Sequence, residues 1–200
     1  GADRRKTNMC YATKRKIADC VKQLMKKKEI RKITIQDIMD ATNMSRQSFY
    51  YHFKDIYDVL EWVARHDFSD RIVCEEGQTI EEWAVHVLHV LEEERPFFER
   101  VVNQIEWPKL VPMISEPIEE QMRILLLRNY MSGSDRSVFD FCVHFVTNSY
   151  CYYILDYMYY RKHKTDEQMR TEVNSLIMLI ANQPLLCAMD VPQMHSRMFG

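Results

Sequence analysis

The sequence predicts an all-α protein in two parts, a small basic N-terminal head and a larger acidic helical body. Three observations carry that expectation. Nearly every segment places apolar residues at helical spacing. Glycine is scarce, with 4 residues in 200, two of them terminal, so glycine-rich phosphate loops and glycine-punctuated all-β folds are excluded. Charge is divided along the chain. Residues 1–54 hold 14 Lys+Arg against 5 Asp+Glu, a balance of +9, whereas residues 55–200 hold 13 against 24, a balance of −11. A compact basic end on an acidic body points to a polyanionic partner.

The elements follow in order. Thr7 is placed to cap a first helix to about Lys28, with Ile17, Val21, Leu24 and Met25 on one face and Lys14, Arg15, Lys16, Lys22, Lys26 and Lys27 on the others. Thr34, with Asp37 three residues on, opens a second helix whose stripe is Ile35, Ile38 and Met39 and which ends near Thr42. Asn43 stands where the chain must turn, and Asn tolerates the left-handed conformation. Ser45 caps a short third helix through about His52, anchored by Phe49 and Phe53. Asp55 caps a fourth, carrying Ile56, Val59, Leu60 and Val63 and continuing to about Cys74, before the break at Glu75-Glu76-Gly77.

In the second part, Thr79 and Glu82 form a capping box for a helix to about Glu94, and Pro96 suits the first turn of the next. Pro108, Pro112 and Pro117 predict a broken or looped stretch over 105–117. A helix from about Pro117 to Met131 ends at Ser132-Gly133-Ser134. Residues 137–162 form a long helix, apolar on most faces and therefore buried on several sides. Thr165 and Gln168 cap a last helix to about Ala181, striped by Met169, Val173, Leu176, Ile177 and Ile180. The tail after Pro184 has no clear pattern.

Hydrophobic residues make up 46% and charged residues 28%, enough apolar surface for a core. No stretch of about 18 apolar residues predicts a membrane span. The basic N-terminus has no apolar run behind it, so it is not read as a secretory signal. The six cysteines form no C-x-x-C pair and are read as reduced, mostly buried thiols of a cytoplasmic protein.

The informative stretch is 33–52, two short helices joined by a tight turn. With Phe49 facing inward, Gln47 and Tyr51 point away from the core at 100° per residue, Ser48 and Tyr50 flank them, and Arg46 sits at the exposed first turn. A helix-turn-helix needs this arrangement, because the polar end of its second helix enters the major groove. Arg and Gln read base edges bidentately. Ser, Tyr, His and Lys bind phosphates. Tyr50, Tyr51 and His52 cannot all join Phe53 in a core cluster on so short a helix.

Ile33-Thr34-Ile35-Gln36-Asp37-Ile38, followed by Ser45-Arg46-Gln47-Ser48-Phe49-Tyr50-Tyr51-His52-Phe53-Lys54, resembles the TetR/AcrR family of bacterial one-component regulators. The resemblance covers residues 8–65 and is architectural beyond 75. Phe53-Lys54-Asp55-Ile56-Tyr57-Asp58-Val59-Leu60 is most similar to the branch containing dihydroxyacetone-kinase operon regulators. The resemblance implies a helix-turn-helix DNA-binding domain over 1–54, a connecting helix over 55–74, and a helical effector-binding and dimerisation domain over 75–200. It implies a homodimer on a palindromic double-stranded operator, controlled by a small-molecule effector, most simply as a repressor. Thr34 and Gln36 match positions that approach DNA. Arg46, Gln47 and Tyr50 match base-reading or groove-facing positions, and Ser45, Ser48, Tyr51, His52 and Lys54 match phosphate-facing ones. Two departures stand out: Asn43 replaces the usual turn glycine, and Ile56 replaces a lysine common at the start of the fourth helix. The helices over 137–162 and 165–181 match in order the pair that forms a four-helix dimer bundle.

The body carries no comparable motif. Trp107, Met113, Met122, Phe141 and Tyr152 are candidates to line an effector pocket, because Met and aromatic side chains make adaptable apolar walls. His86 and His89, three apart with Glu82 and Glu93 nearby, are a weak metal-binding pattern, and no metal or other cofactor is expected. No nucleophile elbow, HExxH or phosphate loop occurs, so no catalytic residues are assigned. Two alternatives stay open: a regulator or activator whose body answers to a protein partner, and, more remotely, a helical metal-binding protein or enzyme.

Overall fold

The computed structural model describes residues 2–129, 136–160 and 163–181, and these are helical with no strand. α1 is Ala2–Met25, α2 Ile35–Thr42, α3 Arg46–His52 and α4 Ile56–Val63. A π turn over 64–68 and a 3-10 turn over 69–71 follow α4. α5 is Ile80–Glu93, α6 Arg95–Gln104, α7 Trp107–Asn129, α8 Arg136–Tyr159 and α9 Asp166–Ala181. Among the described residues no helix is long and apolar enough to cross a membrane. The chain forms two compact units, one of residues 1–71 and 91–114, the other of 72–90 and 115–200.

In the first unit, α1 turns Ile17, Ala18, Val21 and Met25 inward. They share a core with Ile38 of α2, Phe49 of α3, and Val59, Leu60 and Val63 of α4. Each such side chain contributes about 1.5–3 kcal/mol on burial. The segment 91–114 belongs to the same body. The Ile30 N–H donates to Gln104 Oε1 at 2.8 Å, Arg100 donates to the Lys26 carbonyl at 3.2 Å, and the Phe68 and Phe98 rings meet edge to face at 6.0 Å.

One buried carboxylate ties these parts together. The π turn carries Asp67 and Phe68 inward side by side. Asp67 accepts from Arg15 Nη1 at 2.6 Å and from Lys22 Nζ at 3.0 Å, and Lys22 also reaches Glu94, the N-cap residue of α6, at 3.0 Å. Burial pushes the Asp67 carboxyl up, but the hydrogen bonds and charges of Arg15 and Lys22 outweigh it, and the net shift is downward.

The second unit is organised around Trp83, which is fully buried and donates from Nε1 to the Ile72 carbonyl at 2.6 Å. The buried Tyr150 hydroxyl donates to the Ala84 carbonyl. Ile118, Met122, Leu125, Val143, Ile154, Met158, Met169 and Val173 complete this core. Both predicted capping boxes are present. The Glu82 N–H donates to Thr79 Oγ1 at 3.1 Å, with the Thr79 N–H returning to Glu82 at 2.9 Å. Thr165 and Gln168 make the same exchange at 2.9 and 3.2 Å.

Three expectations are corrected. α1 already runs from Ala2, so Thr7 lies inside it and not at its cap. The fourth helix does not continue as α-helix to Cys74, because the ladder widens at Ala64 and then tightens. The stretch 105–117 is not a loop from end to end: α7 runs through all three prolines from Trp107. Pro108 lies in its first turn, where no N–H is needed. Pro112 and Pro117 leave the carbonyls of Pro108 and Met113 without helical donors, at about 3 kcal/mol each. The burial of Leu110, Ile118, Met122 and Leu125 on this helix offsets that cost. The turn expected at Ser132-Gly133-Ser134 and the tail after Pro184 lie outside the described residues, as do the side chains of Ile177 and Ile180.

Asp67→Asn is expected to destabilise the protein by about 3 kcal/mol at neutral pH, since it leaves two cations without their buried partner. Because the folded pKa is depressed, the stabilisation is full above the ordinary carboxylate range and is lost as pH falls through the folded value. Urea unfolding of wild type and Asp67→Asn should therefore differ most near pH 7 and converge in acid. A constant difference across that range would refute the assignment.

Candidate nucleic-acid interface

The candidate interface is built from two short, well-capped helices. At α2, the Asp37 N–H donates to Thr34 Oγ1 at 3.1 Å, while the Thr34 N–H and hydroxyl both donate to Asp37 Oδ2 at 2.9 Å. Lys28 Nζ, 2.6 Å from Asp37, and then the Thr34 donors hold that carboxyl down to about 2. At the other end, Thr42 Oγ1 donates to the Ile38 carbonyl and Lys16 Nζ donates to the Thr42 carbonyl at 2.9 Å. A cation there complements the helix dipole. Asn43 then turns the chain with φ 55° and ψ 39°, the left-handed conformation expected of it.

Ser45 Oγ accepts from the Ser48 N–H at 3.1 Å and starts α3. Phe49 and Phe53 are buried, with ring centroids 6.2 Å apart, and they fix the helix's rotation. The opposite face therefore points to solvent. Tyr51 is 82% exposed and Tyr50 50%. Ser45, Arg46, Gln47 and Lys54 are exposed, and Ser48 and His52 are half-buried. Among the described residues, the side chains of Arg46, Gln47 and Lys54 make no hydrogen bond or ion pair within the protein. Tyr50 meets Phe49 edge-on at 5.5 Å and Tyr51 meets His52 edge-on at 5.0 Å, which limits their rotation.

Thr34 and Gln36 are exposed at the start of α2, but their polar atoms are engaged. The Thr34 hydroxyl serves the capping box, and Gln36 Nε2 donates to Asp40 at 2.7 Å. His52 Nδ1 lies 3.7 Å from Cys10 Sγ, and burial, then the charge of Lys14, lowers the imidazole pKa. Sequence reasoning did not connect α1 to this surface. Lys14 Nζ sits 5.3 Å over the Phe53 ring, a contact across 39 positions that no local pattern announces.

The head's positive charge is partly consumed internally. Arg15 and Lys22 serve Asp67, Lys28 serves Asp37, and Arg31 and Lys32 serve Glu29. Arg46 and Lys54 remain directed outward beside α3.

The five effector-pocket candidates are divided between the two units. Trp107, 46% exposed, and half-buried Met113 belong to the first unit, and Met122 is in the core of the second. Phe141 and Tyr152 point outward from α8 and, with His144, Phe145, Asn148 and Ser149, line a shallow open groove. His86 and His89 are half-buried on α5, and no cluster of three or more potential metal ligands occurs among the described residues. Burial, then the nearby Glu119 charge, pushes the Cys151 thiol up to about 12, and burial also raises Cys142, so neither is an activated nucleophile.

No family model matches the chain. Over 60 residues, 30% of its length, it is 33% identical to the HTH-type dhaKLM operon transcriptional activator DhaS of Lactococcus lactis subsp. lactis strain IL1403. That match spans about a third, 32%, of the relative. Among solved structures, a dihydroxyacetone kinase operon activator DhaS superposes with a TM-score of 0.66 at 18% identity, covering 84% of this chain and 96% of that one. A TetR transcriptional regulator from Streptococcus agalactiae 2603V gives 0.65 at 21% identity, covering 88% and 98%. A TetR-family regulator from Streptomyces coelicolor gives 0.59 at 14% identity, covering 86% and 82%. The chain has the fold of the TetR-family transcriptional regulators.

Proposed function

We propose that this chain is a sequence-specific DNA-binding transcriptional regulator that acts as a homodimer. The observation that carries the reading is α3 itself. Its Ser45 cap and buried Phe49 hold Arg46 and Gln47 outward, with no hydrogen bond or ion pair from their side chains among the described residues. In the reading, α3 enters the major groove, Arg46 and Gln47 read base edges, and Tyr50 packs in the groove. Ser45, Ser48, Tyr51, His52 and Lys54 contact phosphates. Thr34 and Gln36 approach the backbone from α2, exchanging their present bonds for phosphate. Residues 1–54 then form the DNA-binding domain, 55–74 the connection, and 75–200 the regulatory and dimerising body.

The dimer would form through 137–162 and 165–181. Phe141, Phe145, Asn148, Tyr152 and Tyr159 follow the 3.5-residue spacing of a helix-pairing seam, and all are exposed on α8. Met178 of α9 is exposed as well. Phe141 and Tyr152 are thereby better explained as seam residues than as pocket walls. A small-molecule effector bound by the body would shift the population of the DNA-competent form. A second reading, activation in place of repression, is supported by two of the similar proteins, each of which is an operon activator.

Selection from a random duplex pool by the purified protein, at near-physiological salt, should enrich an inverted repeat. Binding without enrichment, steep in salt, would end the regulator reading. On the selected site, Arg46→Ala and Gln47→Ala should each cost about 1–3 kcal/mol and relax preference at one position. Equal losses on selected and random duplex would remove their base-reading role. Phe145→Glu should convert dimer to monomer in sedimentation and weaken binding to the full repeat more than to a half-site. An unchanged dimer would place the interface elsewhere.

A further inference from the structure

The first unit is larger than its three-helix head, because the segment 91–114 is fastened to it by the Gln104–Ile30 and Arg100–Lys26 hydrogen bonds and the Lys22–Glu94 pair. Whatever α3 binds therefore also meets a body that includes the start of α7. There, the exposed Lys109 lays its ammonium 4.8 Å from the centre of the Tyr57 ring. Tyr57 is 41% exposed in the first turn of α4, three residues beyond Lys54. The Lys54 N–H donates to Asp58 at 2.9 Å, which binds the end of the reading surface to that same turn.

The electrostatics of this turn need a cation. Asp55 and Asp58 place two carboxylates immediately after Lys54, each used in capping, and both repel an approaching phosphate. The other cations of 91–114 are committed: Arg95 to Glu92 and Glu99, and Arg100 to the Lys26 carbonyl. Among the described residues, Lys109 has no carboxylate within ion-pair distance. Its ammonium rests on an aromatic face, which reduces its motion, and the side chain stays exposed to solvent.

We infer that Lys109 is a DNA phosphate contact supplied from outside the helix-turn-helix, flanking Lys54 across the first turn of α4. The inference rests on the DNA-binding reading above. Lys109 sets affinity and salt dependence and carries no sequence information, as a phosphate contact must.

The test is the binding of duplex DNA by the full chain between about 50 and 200 mM salt, using the duplex selected by wild type and a random duplex. Lys109→Met keeps an unbranched side chain of similar length beside Tyr57 and removes the charge; Lys109→Arg keeps the charge. Lys109→Met should lose up to about tenfold on both duplexes and reduce the slope of log K against log salt by about 1, with sequence preference unchanged. Lys109→Arg should retain the wild-type slope. An unaltered slope in Lys109→Met, or a loss confined to the selected sequence, overturns the contact while leaving the DNA-binding reading standing. Wild type that shows no salt-dependent duplex binding overturns both.

Discussion

Asp67 draws two cations from α1, seven residues apart, onto one carboxylate inside the first unit. The arrangement is possible because the turn after α4 is wide and carries Asp67 inward beside Phe68. Lys22 extends the network to the N-cap of α6, and Arg15 extends it the other way, its guanidinium lying 4.7 Å over the Trp62 ring. Trp62 in turn meets Phe53, the C-cap residue of α3, edge-on at 6.3 Å. A continuous run of contacts thus joins the buried carboxylate to the helix that carries Arg46 and Gln47. Buried ion pairs add little net stability over apolar replacements, but their geometry is exacting and breaking them is costly. Here they link α1, the turn after α4 and the N-cap of α6 through one carboxylate and one ammonium.

The same network changes the meaning of the charge split. A balance of +9 over residues 1–54 reads as a polyanion-binding head, yet five of those cations are spent on Asp67, Asp37 and Glu29. Net charge sets the long-range field, whereas the cations left outward at short range set where a phosphate rests.

Local signals in the sequence were legible because their causes are local. The Thr34, Ser45, Asp55, Thr79 and Thr165 caps each satisfy backbone donors within four residues, and Asn43 adopts φ > 0 for a reason contained in its own side chain. The outward face of α3 was legible for the same reason, since two phenylalanines at i and i+4 fix the rotation of seven residues. What could not be read depends on partners far along the chain. Arg15 and Asp67 are 52 positions apart, as are Tyr57 and Lys109. Prolines that break an isolated helix are tolerated in α7 because burial elsewhere on the helix outweighs two lost hydrogen bonds. The effector candidates rest on residue type, and type does not separate a core methionine such as Met122 from an exposed aromatic such as Phe141.

α3 has seven residues, far below the roughly 12–15 at which an isolated helix becomes even marginally stable in water. Its order is borrowed from Phe49 and Phe53, and theirs from the packing that Asp67 fixes. The outward face of α3 therefore has no stability independent of the first unit's core. A change that costs this arrangement about 1.4 kcal/mol lowers its population relative to competing forms tenfold without touching a residue on that outward face. Under the proposed function, a short, well-capped helix on a clamped core is for that reason a sensitive place to read DNA: its outward side chains are set by local rules, and its occupancy by contacts made many residues away.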